Sequence, residues 1–227
     1  MRQAHLIAPS SLIPLIASRL HWQAPRQTAY CLHPLSQQLP SIASDEAILL
    51  FHPGSPYLQQ HYPEHPLCEV IILPSPLAGL HGFMLAASGE HAALEQSAEI
   101  LDLLAPVANG WLHLGPRGCG GFIQQIWQTL LPSSQSAEQQ DWQAILSTLQ
   151  QPNPFQQQGP LLTALSHQLL QQQLQLSTLR GLAHRFLQDF PPAAFQAHHP
   201  QLEQAFAPLI SNEYSPTHQL AQLLSQQ

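Results

Sequence analysis

Two sets of side chains and two helix starts in this sequence have the types and spacing to do chemistry. His52, His61, His65 and Cys68, with Glu64 and Glu69 beside them, put imidazole, thiol and carboxyl donors within one short stretch. His61 and His65 would share a face if that stretch were helical. Pro63 and Pro66 interrupt such a helix, so the segment reads as a polar surface loop and no metal is expected. Cys119 stands in Gly115-Pro116-Arg117-Gly118-Cys119-Gly120-Gly121, ahead of an apolar helical pattern. A thiol at a helix N-terminus is biased toward thiolate, and His113 or His81 would be its base. The plainer reading is a small residue filling a tight turn. The same turn, and Ser10-Ser11 at another helix start, offer backbone N–H groups that could bind an anion.

Absences exclude as much. Of 227 residues only 8% are charged, all six basic residues are arginine, and lysine does not occur. Schiff-base chemistry and any proton transfer from a lysine ammonium are therefore excluded. With a formal charge of -7 and no basic cluster, nucleic acid is not an expected partner. Cys31, Cys68 and Cys119 are odd in number and widely spaced, which argues against a disulfide framework and for a reducing, cytoplasmic setting. No apolar run approaches the ~20 residues of a membrane span. Pro9, Ser10, Ser11 and Pro14 break the apolar N-terminal stretch, so it does not read as a secretory signal.

The elements that must position these groups alternate between strand and helix. Ala4 to Ala8, Thr28 to Leu32, Ala47 to Phe51, Val70 to Leu73, Gly82 to Ala87 and Trp111 to Leu114 are short apolar runs of strand length. Helices are expected over Leu12 to Leu20, capped by Ser10 or Ser11, and over His91 to Leu104. That order predicts a mainly parallel sheet with right-handed crossovers. Beyond Gly121 strands vanish, glutamine is concentrated, and apolar residues recur at helical intervals. Helices are expected over Phe122 to Leu131, Ala137 to Gln150, Pro160 to Phe190, Leu202 to Ile210 and Thr217 to Leu224. The fold class is thus α/β plus all-α, with Trp127 and Trp142 in core or interface packing and His198-His199 in a loop.

Gly79-Leu80-His81-Gly82-Phe83-Met84-Leu85-Ala86-Ala87-Ser88-Gly89-Glu90, the following helix, and Leu112-His113-Leu114-Gly115-Pro116-Arg117-Gly118-Cys119-Gly120 resemble the β-hydroxyacid dehydrogenase family. That family includes 3-hydroxyisobutyrate and 6-phosphogluconate dehydrogenases, and the likeness is closest from Val70 to Leu131. It implies a Rossmann-like domain over 1–117, truncated because Leu32 to Ala47 is too short for the usual further β-α units. It also implies a helical domain over 118–227 that pairs with a second copy. NAD or NADP would lie over the first strand-helix turn, and a hydroxy acid against the helical domain.

The resemblance also places the sites, and each departs from the family's pattern. The three glycines of Gly-x-Gly-x-x-Gly fall on Ala8, Ser10 and Ile13, with Ser11 among them, and their side chains obstruct the approach of a pyrophosphate. His33-Pro34 stands where a group for the adenosine ribose is expected. The substrate loop falls on Ser75, Leu77 and Gly79, with leucine in place of the serine that would hold a carboxylate, and Gly118 completes the substrate positions. The catalytic lysine and the asparagine one turn on fall on Gln124 and Gln128. An amide can hydrogen-bond a hydroxyl but cannot carry a proton as an ammonium does, a loss of about 100- to 10,000-fold in rate. The expectation is a catalytically degenerate relative, without a cofactor, that works by binding a small ligand or protein partner or as a homodimer. The alternative is an active NAD(P)-dependent oxidoreductase in which Gln124, Gln128, Ser75 and a histidine such as His81 orient a hydroxy acid.

Overall fold

Ala4 to Ala8 is apolar except for His5, is buried along its whole length, and lies inside the sheet. In chain order the elements are β1 (Ala4–Ala8), α1 (Ile13–Gln23), β2 (Tyr30–Pro34), β3 (Ala47–Leu50), β4 (Leu67–Leu73), α2 (Ala78–His81), β5 (Met84–Gly89), α3 (His91–Leu104), β6 (Leu112–Gly115), α4 (Cys119–Leu130), α5 (Gln158–Asp189) and α6 (Pro216–Gln226). The computed structural model describes residues 3–23, 29–35, 40–52, 61–73, 77–130, 158–198 and 214–226. The helices expected over Ala137 to Gln150 and Leu202 to Ile210, and with them Trp142 and His199, lie outside these residues, as does Ser75.

The six strands form one sheet in the order β2-β1-β3-β4-β5-β6, mainly parallel as expected. The one antiparallel joint is between β4 and β5, paired from Leu73↔Met84 to Cys68↔Gly89. Only the single-turn α2 fits between Leu73 and Met84. A parallel return needs a crossover of about a dozen residues or more, so the chain folds back beside itself. β6 then runs parallel to β5. Helix α1 begins at Ile13, and its first turn is held by the Leu12 carbonyl accepting from Ile16 N–H. Ser10 and Ser11 lie exposed in the turn before it, rather than as the expected cap.

Alternate residues of the sheet feed two faces. Leu6, Ala8, Leu49, Cys68, Val70, Leu85 and Ala87 pack with Ile16 and Leu20 of α1 and Leu94, Leu101 and Leu104 of α3. On the other face, Ile71, Ala86 and Leu114 meet Phe122 and Ile126 of α4, Leu179, Ala183 and Phe186 of α5, and Ala221 of α6. Each such leucine or phenylalanine contributes about 1.5–3 kcal/mol on burial. Over β1 and β3 that second face is covered instead by Tyr62, Leu35 and Ile42 around Ile7, Ile48 and Leu50. The boundary expected after Arg117 falls in the turn between β6 and α4, two elements that share this second core.

Arg19 joins three segments on the first face. Its buried guanidinium donates to the carbonyls of Leu80 (2.9 Å), Leu103 (3.0 Å) and Ala105 (2.6 Å). These carbonyls lie at or just past the C-terminal ends of α2 and α3, where unsatisfied acceptors and the helix dipole favour a cation. Among the described residues no helix is long and apolar enough to cross a membrane.

Candidate functional site

The glycine-rich turn between β6 and α4 is where the structure departs most from an open anion site. Gly118, at φ 95°, bends the chain so that the first N–H groups of α4 point back into the sheet. They meet the carboxyl group of Glu69 on β4. Gly118 N–H donates to Glu69 Oε2 at 3.1 Å, Gly120 N–H at 3.0 Å, and the Ser88 hydroxyl of β5 at 2.8 Å. Gly120 N–H also reaches Ser88 Oγ at 2.8 Å. A Cβ on Gly120 would lie 2.7 Å from Ser88 Oγ and 2.9 Å from Glu69 Oε2, so only glycine lets the helix approach this closely. Burial pushes the Glu69 carboxyl above the ordinary range, opposed by the donors on Ser88, Gly118, Gly120 and Gly121. The turn does bind an acid group, and that group belongs to the chain itself. A glutamate inside the apolar run Leu67 to Leu73 was the sequence signal for it.

Cys119 fills the turn. Its buried sulfur lies 3.9 Å from Ser215 Oγ, and burial pushes the thiol up to about 12, far from thiolate at neutral pH. Of the bases proposed for it, His113 donates from Nε2 to the Gly115 carbonyl and accepts the His198 N–H at Nδ1. His81 is exposed at the end of α2. Above Cys119, the Ser215 hydroxyl faces His218 Nδ1 at 2.7 Å, and His218 Nε2 donates to the Phe190 carbonyl at 3.0 Å. Burial holds this imidazole below its ordinary value, opposed by the Phe190 carbonyl. The pair anchors α6 to the end of α5.

The positions assigned by resemblance are spread over both faces of the sheet. Gln124, half-buried, and Gln128, exposed, lie on α4 on one side. Gly79 lies on the other side, where a Cβ would sit 3.5 Å from Ser18 Oγ and 3.7 Å from the Leu15 carbonyl of α1. It serves the packing of α2 on α1. Leu77, just before α2, is exposed. Ala8 is fully buried in the first core, and Ile13 packs against the same cluster.

The histidine-rich stretch is dispersed. Cys68 is in the first core, where burial raises its pKa, and Glu69 is committed to α4. His65 Nε2 lies 3.2 Å from the Ile42 carbonyl, and His61 stands edge-on to Tyr62. Among the described residues a different set comes together: His5 of β1 with Cys31 and His33 of β2, each offering a donor atom within 4.8 Å of the others. His5 Nδ1 and His33 Nε2 are 2.9 Å apart, and His5 Nε2 lies 3.0 Å from Glu46 Oε2. Gln3 Nε2 donates to Cys31 Sγ at 2.6 Å. Burial, then the neighbouring His5, lowers the His33 pKa. Sequence reasoning missed this set because its members meet only through the pairing His5↔Cys31 and Ile7↔His33. The available signal was Cys31-x-His33 on an alternating strand, which sends both side chains to one face.

No family model matches this chain, and no curated protein does. Among solved structures it is similar to a Salmonella typhimurium 3-hydroxyisobutyrate dehydrogenase, with 12% identity over 65% of this chain and 66% of that one and a TM-score of 0.41. It is similar to the Mycobacterium tuberculosis 3-hydroxyisobutyrate dehydrogenase with L-serine, with 9% identity over 99% of each chain and a TM-score of 0.44. A Myxococcus stipitatus imine reductase variant in complex with NAD+ is similar at 12% identity over 100% of this chain and 92% of that one, TM-score 0.43.

Proposed function

We propose that this chain is a catalytically degenerate relative of the NAD(P)-dependent hydroxyacid dehydrogenases that acts by binding, as a dimer joined through its helices. The observation that carries this reading is the Glu69 carboxyl group seated on the N–H groups of Gly118 and Gly120. Donors already given to an internal acid are not open to a substrate carboxylate. The lysine position is Gln124, whose amide moves no proton, and the buried Ala8 methyl occupies the first glycine position of the dinucleotide turn.

Self-association is supported by α5. Its C-terminal half buries Leu179, Ala183 and Phe186, whereas Leu162, Leu165, Leu169, Leu170, Leu174 and Leu176 of its N-terminal half are exposed. Leu162, Leu165, Leu169 and Leu176 recur on one stripe of the helix, the pattern of an apolar face that seeks a partner. Thermal melting with NADH, NADPH and 2- or 3-hydroxy acids, beside sedimentation equilibrium, tests the reading. The expected result is no rise in Tm at millimolar cofactor and the mass of a dimer. A saturable rise of several degrees together with turnover of a hydroxy acid would establish the active oxidoreductase instead.

A further inference from the structure

We infer that His5, Cys31 and His33 form a binding site for one thiophilic divalent transition-metal ion of the Zn2+ class, with Glu46 orienting His5. The donors have the right chemistry: imidazole and thiolate together suit zinc and its neighbours, not magnesium or calcium. They also have the right placement. β1 and β2 are adjacent parallel strands in the register His5↔Cys31, and the alternation of the pleat sends His5, Cys31 and His33 to the face opposite α1. One donor atom from each lies within 4.8 Å of the others. A tetrahedral zinc with bonds of about 2.0–2.3 Å sets its ligands roughly 3.3–3.8 Å apart, within reach of small side-chain adjustments.

The surrounding hydrogen bonds fix which atoms take part. His5 Nε2 faces Glu46 Oε2 at 3.0 Å, so its proton belongs on that side and Nδ1 presents a lone pair. That lone pair points at His33 Nε2, 2.9 Å away. Carboxylate, histidine and metal in line is the arrangement by which outer partners set a ligand's tautomer. The metal enters between His5 Nδ1, His33 Nε2 and Cys31 Sγ. The Cys31 thiol gives its proton to solvent, and His33 moves its proton from Nε2 to Nδ1, so one proton is released per ion bound. His5 is buried while Cys31 and His33 are partly exposed, so an entering ion and a water ligand would approach from their side. The binding requires no dehydrogenase chemistry and stands whether or not the reading of the chain as a degenerate relative holds.

The test uses the full chain, stripped with chelator under reducing conditions and reloaded with Zn2+ or Co2+. The expected results are one zinc retained per chain after dialysis, release of one proton on titration in weak buffer, and a thiolate-to-cobalt charge-transfer band with Co2+. Cys31→Ser removes that band, His33→Ala abolishes zinc retention, and Glu46→Gln weakens binding by about 10- to 100-fold. His61→Ala, at an exposed histidine outside the cluster, leaves all readouts unchanged. Far-ultraviolet circular dichroism establishes that each variant is folded, and the charge-transfer band in the wild type reads Cys31 ligation without any variant. No zinc retained by the wild type, a cobalt complex without a thiolate band, or full retention in both Cys31→Ser and His33→Ala would overturn the site.

Discussion

Glu69 Oε2 on β4 lies 3.0 Å from the backbone nitrogen of Gly120 in the first turn of α4, with Ser88 Oγ bonded to both. A strand side chain thus does the work of a helix cap, and it does so in the interior. Replacing Glu69 by alanine strands the Gly118 N–H and the Ser88 hydroxyl away from water, while Gly120 N–H keeps Ser88 Oγ. The expected loss is about 2–4 kcal/mol, with Glu69→Gln losing less because an amide oxygen still accepts. Urea unfolding of the two variants checks the order; equal midpoints for wild type and Glu69→Ala would rule out the role.

Gly120→Ala addresses the same contact from the helix. Alanine is the better helix former by about 1 kcal/mol, so an open position would gain stability. Here the added methyl meets Ser88 Oγ and Glu69 Oε2 below 3.0 Å, and a net loss of about 1–3 kcal/mol is expected. Thermal melting gives the sign directly.

Two buried groups bend the pH dependence in opposite senses. The folded state holds the His218 pKa below its unfolded value of about 6.5, so that contribution is complete above this pH and is lost as pH falls through the folded value. His33 adds to the same acid limb. Glu69 is raised above its unfolded value of about 4.3, so its contribution is complete below that pH and is lost as pH rises through the folded value. Urea midpoints from pH 5 to 8 are expected to fall more gently on the acid side for His218→Gln than for wild type. As pH rises above about 4.3, Glu69→Gln is expected to flatten the decline.

Arg19→Met removes the donors to three carbonyls, that of Ala105 in a buried bond, while keeping the stem of the side chain. A loss of about 2–4 kcal/mol is expected, and Arg19→Lys recovers only part of it because an ammonium cannot match the planar fork. Hydrogen exchange should localise the loosening to α2 and the end of α3.

Leu165→Gln together with Leu169→Gln tests the exposed stripe of α5. Both side chains are exposed in the single chain, 41% and 63%, so its folding should change little. Sedimentation equilibrium is expected to show monomer where wild type shows dimer; an unchanged mass would remove α5 from the interface.

The strands were legible because most are unbroken apolar runs, and Ala4 to Ala8 and Ala47 to Leu50 stand nearly where those runs place them. β2 slipped, from an expected Thr28 to Leu32 to Tyr30–Pro34, because its ends are set by pairing with β1 rather than by its own composition. The antiparallel joint was available in the shortness of Pro74 to Phe83. What could not be read were side-chain meetings between distant segments: Glu69 with Gly120, Arg19 with Ala105, and His5 with His33. Each depends on sheet order, which a lone sequence does not display. The glycine turn was recognisable as a place for an anion, but not that β4 would supply one.

The glycines of that turn also seat the far end of the chain. A Cβ on Gly118 would fall 2.5 Å from the ring of Phe190, and one on Gly115 2.6 Å from Ser215 Oγ. Thr217 Oγ1 donates to the Leu114 carbonyl at 2.8 Å, closing the same junction. Sheet and helices are keyed into each other like mortise and tenon, with the keyways cut in glycine. Heat should therefore undo both in a single calorimetric transition, and a polypeptide stopped at Arg117 would leave one side of β4, β5 and β6 wet.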